Sequence, residues 1–128
     1  MRVRTVFDFV SERGDNLIQE WINGIGDETV RTDIHEVIRV FEMTRHPGPP
    51  LSKPLKGAGR GFVELRLQRR GVQYRTIGFY GPGTSEFTLL LGTTERDSKF
   101  PRGTYEVLQA RRRQVENNQR RKCVHRED

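Results

Sequence analysis

The stretch Gly61-Phe62-Val63-Glu64-Leu65-Arg66-Leu67-Gln68-Arg69-Arg70-Gly71-Val72-Gln73-Tyr74-Arg75-Thr76-Ile77-Gly78-Phe79-Tyr80 decides how this chain folds. Two runs of strand-forming residues flank Arg69-Arg70-Gly71, which turns the first run back on the second. Strands are expected over 61–68 and 72–80. With residues 69–72 as a four-residue loop, Gln68 pairs with Gln73, Leu67 with Tyr74, Arg66 with Arg75 and Leu65 with Thr76. Two guanidiniums then face each other. Directly opposed like charges destabilise a strand pair by roughly 0.2–1 kcal/mol, so the pair calls for an anion between them or for neutralisation by Glu64. A plain charge pair between Glu64 and one Arg across the strands is the equally weighted alternative. A slip of one residue would send the two arginines to opposite faces.

Working outward, Gly81-Pro82-Gly83-Thr84-Ser85 makes a second turn into a third strand over 86–92. Its Phe87-Thr88-Leu89-Leu90-Leu91 core is nearly all apolar and belongs in the sheet interior, covered by helices. Upstream, Val3, Thr5, Phe7 and Phe9 share one side of an opening strand. Asp15 or Asn16 then caps a short helix carrying Leu17, Ile18, Trp21, Ile22 and Ile25, which ends near Gly24 and Gly26. Asp27 caps a second helix with Val30, Ile34, Val37, Ile38 and Phe41 on one stripe, stopped by His46-Pro47-Gly48. The two form a helical hairpin, with Trp21 and Phe41 in the core. The prolines of segment 47–54 allow only an extended surface crossing. A last helix starts near Pro101 and carries Tyr105, Val107, Leu108 and Val115. Of Arg111, Arg112 and Arg113 on it, at least one must point away from the core. The expected fold is α+β: N-terminal strand, helical hairpin, antiparallel meander, C-terminal helix. Residues 1–116 make one domain, and the basic tail 117–128 is expected to fray.

Composition sets the functional bounds. The chain has 128 residues and a formal net charge of +6. Residues 1–50 hold six basic and nine acidic side chains, so the rest carry 17 against 8, a net +9. Most of these cations are Arg, whose planar fork suits phosphate, and such a field favours polyphosphate or an acidic partner. No apolar run approaches a membrane span or a secretory leader, and a single Cys, Cys123, excludes a disulfide framework or a thiolate metal cluster within one chain. A soluble, cytoplasmic protein without a metal or cofactor is the expectation. His35 falls on the polar side of the second helix, His46 at its end and His125 in the tail, and no two share ligand spacing. The Gly57-Ala58-Gly59-Arg60-Gly61 run lacks the Lys-Ser/Thr ending of a phosphate loop and reads as a flexible connection.

The order of several short pieces is similar to the RelE/ParE toxin superfamily, and within it to the HigB-like, phage-derived toxins. They are the Glu20-Trp21 helix, Pro50-Leu51-Ser52-Lys53-Pro54-Leu55-Lys56-Gly57, Glu64-Leu65-Arg66, Gln73-Tyr74-Arg75, Leu89-Leu90-Leu91-Gly92 and Lys99-x-Pro101, spread over about residues 6–113. The resemblance implies a RelE-like fold, a cytoplasmic toxin of a type II toxin-antitoxin system, and endonuclease action on mRNA in the ribosome. It also implies a cognate antitoxin, commonly of the helix-turn-helix type. The family's functional cations fall on Arg66 and Arg75, with Lys53 and Lys56 upstream.

The chemistry fits those residue types. When the RNA 2′-hydroxyl attacks its own phosphate, the protein must align the chain and stabilise phosphorane charge, which needs cations and no metal. Arg cannot take a proton, so proton transfer falls to Lys99, Tyr105, water or a ribosomal group. Where the family usually carries a basic pair after the last strand, this chain has Thr94-Glu95-Arg96-Asp97, leaving Arg96 and Lys99 for that role and two carboxylates to repel substrate. Arg60, Arg69, Arg70, Tyr74 and Tyr105 complete the expected RNA-binding set; an exposed Tyr stacks on a base for ~1–3 kcal/mol. The other reading is a binding module without nuclease activity, either a gyrase poison like ParE or a degenerate toxin that only pairs with its antitoxin.

Overall fold

The computed structural model describes residues 2–127. It is an α+β fold of three α-helices and one six-stranded mixed sheet. The elements are β1 (Thr5–Phe9), α1 (Leu17–Asn23), α2 (Glu28–Met43), β2 (Ser52–Pro54), β3 (Val63–Arg69), β4 (Val72–Tyr80), β5 (Glu86–Glu95), α3 (Thr104–Asn117) and β6 (Lys122–Val124), with 3-10 turns at Gly57–Gly59 and Gln119–Arg121. The sheet order is β2-β3-β4-β5-β1-β6.

The meander has the register expected from its turn. Arg66 lies opposite Arg75 and Leu67 opposite Tyr74, and the ladder runs one pair further, to Arg69 opposite Val72. Only Arg70 and Gly71 remain in the turn, at φ of 52° and 78°, the left-handed pair that matches strand twist in a two-residue hairpin. β5 continues to Glu95, beyond the expected end at Gly92, and a bulge between Ile77 and Gly78 adjusts its pairing with β4. β1 is an interior strand, parallel to β5 on one side and antiparallel to β6 on the other. Segment 47–54 is extended as expected, and its last three residues form the edge strand β2 against β3, with Pro54 at the end.

Both helix caps are as their sequences imply. Asn16 accepts from the Gln19 N–H, and Asp27 from the Thr29 and Val30 N–H groups. The helical hairpin covers one face of the sheet, where Ile18, Ile22, Ile34, Ile38 and Phe41 pack on Val6, Leu65, Leu67, Phe87 and Leu89. Trp21 lies so close to Gly92 that a Cβ there would come within 2.2 Å of its ring. On the other face α3 brings Leu108 and Val115 against Phe9, Phe62, Ile77, Phe79 and Leu90. Arg111 and Arg112 also turn inward, their guanidiniums 5.0 Å from the Phe9 ring centroid and 4.6 Å from that of Phe79. Arg113 is the one of the three that is exposed.

The tail corrects the sequence reading. Residues 122–124 form a strand, and polar ties hold it. His125 Nδ1 lies 2.8 Å from Oδ1 of the fully buried Asp8, and His125 Nε2 shares a hydrogen bond with His35 Nδ1 at 2.9 Å. Lys122 sits 3.5 Å from the Phe7 ring centroid. His35 and His125 are therefore partners in the interior and not solvated singletons; β6 converts the polar side of α2 into a buried surface. Among the described residues no helix is long and apolar enough to cross a membrane.

Candidate functional site

Alternation along three strands builds the site. Glu64 and Arg66 of β3, Gln73 and Arg75 of β4 and Thr93 and Glu95 of β5 share the sheet face that also carries α3. This helix covers the apolar end of that face and leaves the polar end open. The result is a groove of two lobes. One, about 660 Å³, is lined by Arg66, Gln68, Gln73, Arg75, Glu95, Arg96 and Asp97 among others. The second, about 480 Å³, is lined by Lys53, Lys56, Glu64, Glu95, Lys99 and Tyr105 among others. Glu95 and Ser98 belong to both. Close approach brings Tyr105 to its place: a Cβ on Gly59 would lie 2.8 Å from its ring.

The two opposed arginines have different fates. Glu64 stands between them, with Oε2 3.3 Å from Arg75 Nε and Oε1 3.6 Å from Arg66 Nε. It supplies the anion that the register demands, so the protein, and not a bound phosphate, neutralises the pair. The Arg75 side chain is 2% exposed. Its Nη2 donates to Gln73 Oε1 at 2.8 Å and to Glu95 Oε1 at 3.2 Å, and its Nη1 to the Tyr74 carbonyl at 3.0 Å. Arg75 lines the groove as the buried pin of a Glu64–Arg75–Glu95 bridge. Arg66 keeps 33% of its side chain exposed and opens into the groove. Arg66 is thus the meander cation able to reach a ligand.

Burial governs the titration of this bridge. Withdrawal from water pushes the Glu64 carboxyl above the usual range, against the pull of Arg75, Arg66 and Lys53 and with the push of Glu95. The same withdrawal lowers Arg75, against the stabilising charges of Glu64 and Glu95. Glu64 is a residue that sequence reasoning used only as a neutraliser. Facing the groove with a raised carboxyl, it has the chemistry of a proton-transfer group. The visible signal was a Glu two places before an Arg on a strand, which puts both on one face.

Of the other expected residues, Lys53, Lys56, Lys99 and Tyr105 meet in one lobe and Arg96 lines the other. Four expected residues line neither lobe. Tyr74 projects to the opposite face and packs edge-on against Trp21, with ring centroids 6.5 Å apart, because it alternates with Arg75. Arg69 and Arg70 lean toward α2, Arg69 Nε lying 2.9 Å from Asp33 Oδ2 and Arg70 Nη1 3.7 Å from Asp27 Oδ2. Arg69 borders an adjoining hollow that it shares with Arg66, Gln73 and Arg75, beside Pro50 and Leu51. Arg60 is exposed beyond the 3-10 turn and lines neither lobe. Of the two carboxylates expected to repel substrate, Glu95 is paired with Arg75 at 3.2 Å, a cation it shares with Glu64. Among the described residues no His, Cys, Asp and Glu group is arranged to hold a metal ion. Compared with family models, curated proteins and solved structures, the chain shows no match.

Proposed function

We propose that this chain is the toxin of a type II toxin-antitoxin system, an endoribonuclease of the RelE kind that acts in the cytoplasm on mRNA in the ribosome and is held inactive by a cognate antitoxin, commonly of the helix-turn-helix type. The observation that carries the reading is the open groove in which the partly exposed Arg66 stands beside a buried Glu64 whose carboxyl burial pushes above the usual range, with Lys53, Lys56, Lys99 and Tyr105 along one lobe. The RNA 2′-hydroxyl attacks the adjacent phosphate, the P–O5′ bond breaks to leave a 2′,3′-cyclic phosphate, and the departing 5′-oxygen takes a proton from Lys99, Tyr105 or water. Arg66 stabilises the phosphorane charge, the three lysines hold the backbone and Tyr105 is positioned to stack on a base. Glu64 accepts the 2′-hydroxyl proton, a task that no Arg can perform. Arg75 acts through Glu64 and Glu95 as a positioning residue.

Induction of the wild-type chain in bacterial cells should arrest growth and create new mRNA 5′ ends; Arg66→Ala, folded as wild type, should abolish both. Full toxicity of that variant would refute the reading. One observation favours a second one. Arg75 is closed between two carboxylates, as suits a binding module better than a cation-rich nuclease centre. A gyrase poison would change DNA supercoiling and leave mRNA 5′ ends unmoved, and a toxin that only pairs with its antitoxin would change neither.

A further inference from the structure

Resting on the nuclease reading, we propose that the larger lobe of the groove reads guanine in the RNA, with Asp97 and Gln73 as the specificity-determining residues. The starting point is an acid in the wrong place for a groove that binds only phosphate. Of the two carboxylates after β5, Glu95 is neutralised by Arg75 at 3.2 Å. Asp97 lines the same lobe and, among the described residues, makes no ion pair. An acceptor left without a cation is complementary to a ligand edge rich in N–H donors, not to phosphate.

Its setting is built. Arg96 and Lys99 exchange backbone bonds, the Arg96 N–H to the Lys99 carbonyl at 2.9 Å and the Lys99 N–H to the Arg96 carbonyl at 2.8 Å. Asp97 and Ser98 are the two residues between, at φ of 51° and 61°, so a tight left-handed turn places the exposed Asp97 at the lobe without any side-chain tie. Gln73, the ladder partner of Glu95, lines the lobe from β4. Its Oε1 accepts from Arg75 Nη2 at 2.8 Å. A guanidinium cannot accept, so the amide orientation is fixed and its NH₂ is left to donate. Beside the cations Arg66 and Arg96, the lobe thus presents the Asp97 carboxylate as an acceptor pair and the Gln73 amide as an oriented donor.

Among the four RNA bases at neutral pH, guanine alone carries two adjacent N–H donors, N1–H and the N2 amino group, that meet both oxygens of one carboxylate, with the O6 acceptor beside them. Adenine and cytosine set a single amino donor beside a ring acceptor, which faces the carboxylate repulsively. Uracil has one N–H between two carbonyls. The lobe volume, about 660 Å³, lies within the usual range of small-molecule sites.

The test uses the purified chain and the 3′-monophosphates of guanosine, adenosine, cytidine and uridine, titrated by NMR or calorimetry. Guanosine 3′-monophosphate should bind tightest, by roughly tenfold, the discrimination expected of one good bidentate contact. Asp97→Asn, a change at an exposed turn, should erase that margin while the other three nucleotides shift little. Equal binding of all four, no binding of any, or a guanosine margin that survives Asp97→Asn would overturn the proposal. Because these nucleotides are not cut, this arm is independent of the nuclease reading. In cells, the fraction of new mRNA ends with guanine at one fixed offset should fall to background in Asp97→Asn, read as a proportion of all cuts. Abundant cleavage with no guanine enrichment would sink the specificity and leave the nuclease standing. A guanosine margin in the binding arm without any mRNA cleavage would do the reverse.

Discussion

The two faces of the sheet are built by different physics. Under the helical hairpin the contacts are aliphatic and aromatic: Ile18, Ile22, Ile34, Ile38 and Phe41 against Val6, Leu65 and Leu89, each at most 3% exposed. Under α3 only Leu108 and Val115 are buried aliphatics of the helix, and Arg111 and Arg112 spread over phenylalanine rings to finish the cover. Beyond the reach of α3 the same face changes from Phe79 and Ile77 to Arg75, Glu64 and Glu95. One face therefore supplies cohesion, and the other trades cohesion for a polar groove. A small basic domain can carry a buried ion bridge because the opposite face packs so large an apolar cluster.

The comparison breaks hardest at one residue on each face. Phe41→Ala should cost about 3–5 kcal/mol, the usual loss for a fully buried Phe. Arg75→Ala should cost a similar ~3–5 kcal/mol for another reason, since it leaves two carboxylates, Glu64 and Glu95, facing each other with no shared cation. Urea unfolding measures both. A loss below about 1 kcal/mol at Arg75 would mean that water or Arg66 replaces it, the range typical of an exposed pair. The acid side of the bridge sharpens the point through pH. Folding raises the Glu64 carboxyl, so its native state binds more protons than the unfolded chain. Its contribution to stability is fully present below the ordinary Glu value and is lost as pH rises through the raised one. Relative to Glu64→Gln, the wild type should lose stability across that window and then level off. A rise there would show that pairing with the arginines outweighs burial.

A third region stands between the two. Besides Lys122 over the Phe7 ring, polar contacts hold β6 on the sheet, so its weak point is the chain from Asp8 through His125 to His35. His125→Ala leaves the buried Asp8 carboxylate with Asn16 Nδ2, 3.0 Å away, and should cost about 1–3 kcal/mol for the unmade bond. The expected signature is local: the Val10 N–H, bonded to the Arg121 carbonyl at 2.7 Å, should lose hydrogen-exchange protection more than amides of β4. Uniform loss would mean that β6 is integral to global folding.

The elements that could be read from sequence are those whose signals are local. Arg70-Gly71 set the hairpin, the hairpin set the register, and Asn16 and Asp27 declared their caps. What escaped is non-local. Lys122-Cys123-Val124 has no periodicity to mark a strand, and its reasons for docking, Asp8 and His35, lie at the other end of the chain. The same limit applied in the groove. The register placed Arg66 and Arg75 side by side, yet which of them stays open depends on Glu95 arriving from β5, three residues past the expected end of that strand. The place of Tyr74 has a simpler reason: neighbours on a strand face opposite ways, so a Tyr next to a groove Arg belongs to the other face.

The smallest expected effect tests how α3 is held. Arg112 lies over Phe79, donates from Nη1 to the Gly61 carbonyl at 3.3 Å and pairs with Glu116 at 3.3 Å. The Glu116 pair is exposed and helical, worth about 0.3–0.5 kcal/mol. The guanidinium over the ring adds roughly 0.5–1 kcal/mol at such a half-exposed place. Arg112→Met keeps the alkyl cover of Phe79 and loses both, so a loss near 1 kcal/mol is expected, while Glu116→Gln should lose only the smaller part. Should Arg112→Met be neutral, α3 is held by alkyl packing alone and its arginines serve the basic surface. Should it cost as much as Phe41→Ala, the guanidinium is a core group, and the distinction between the two faces of this sheet would have to be redrawn.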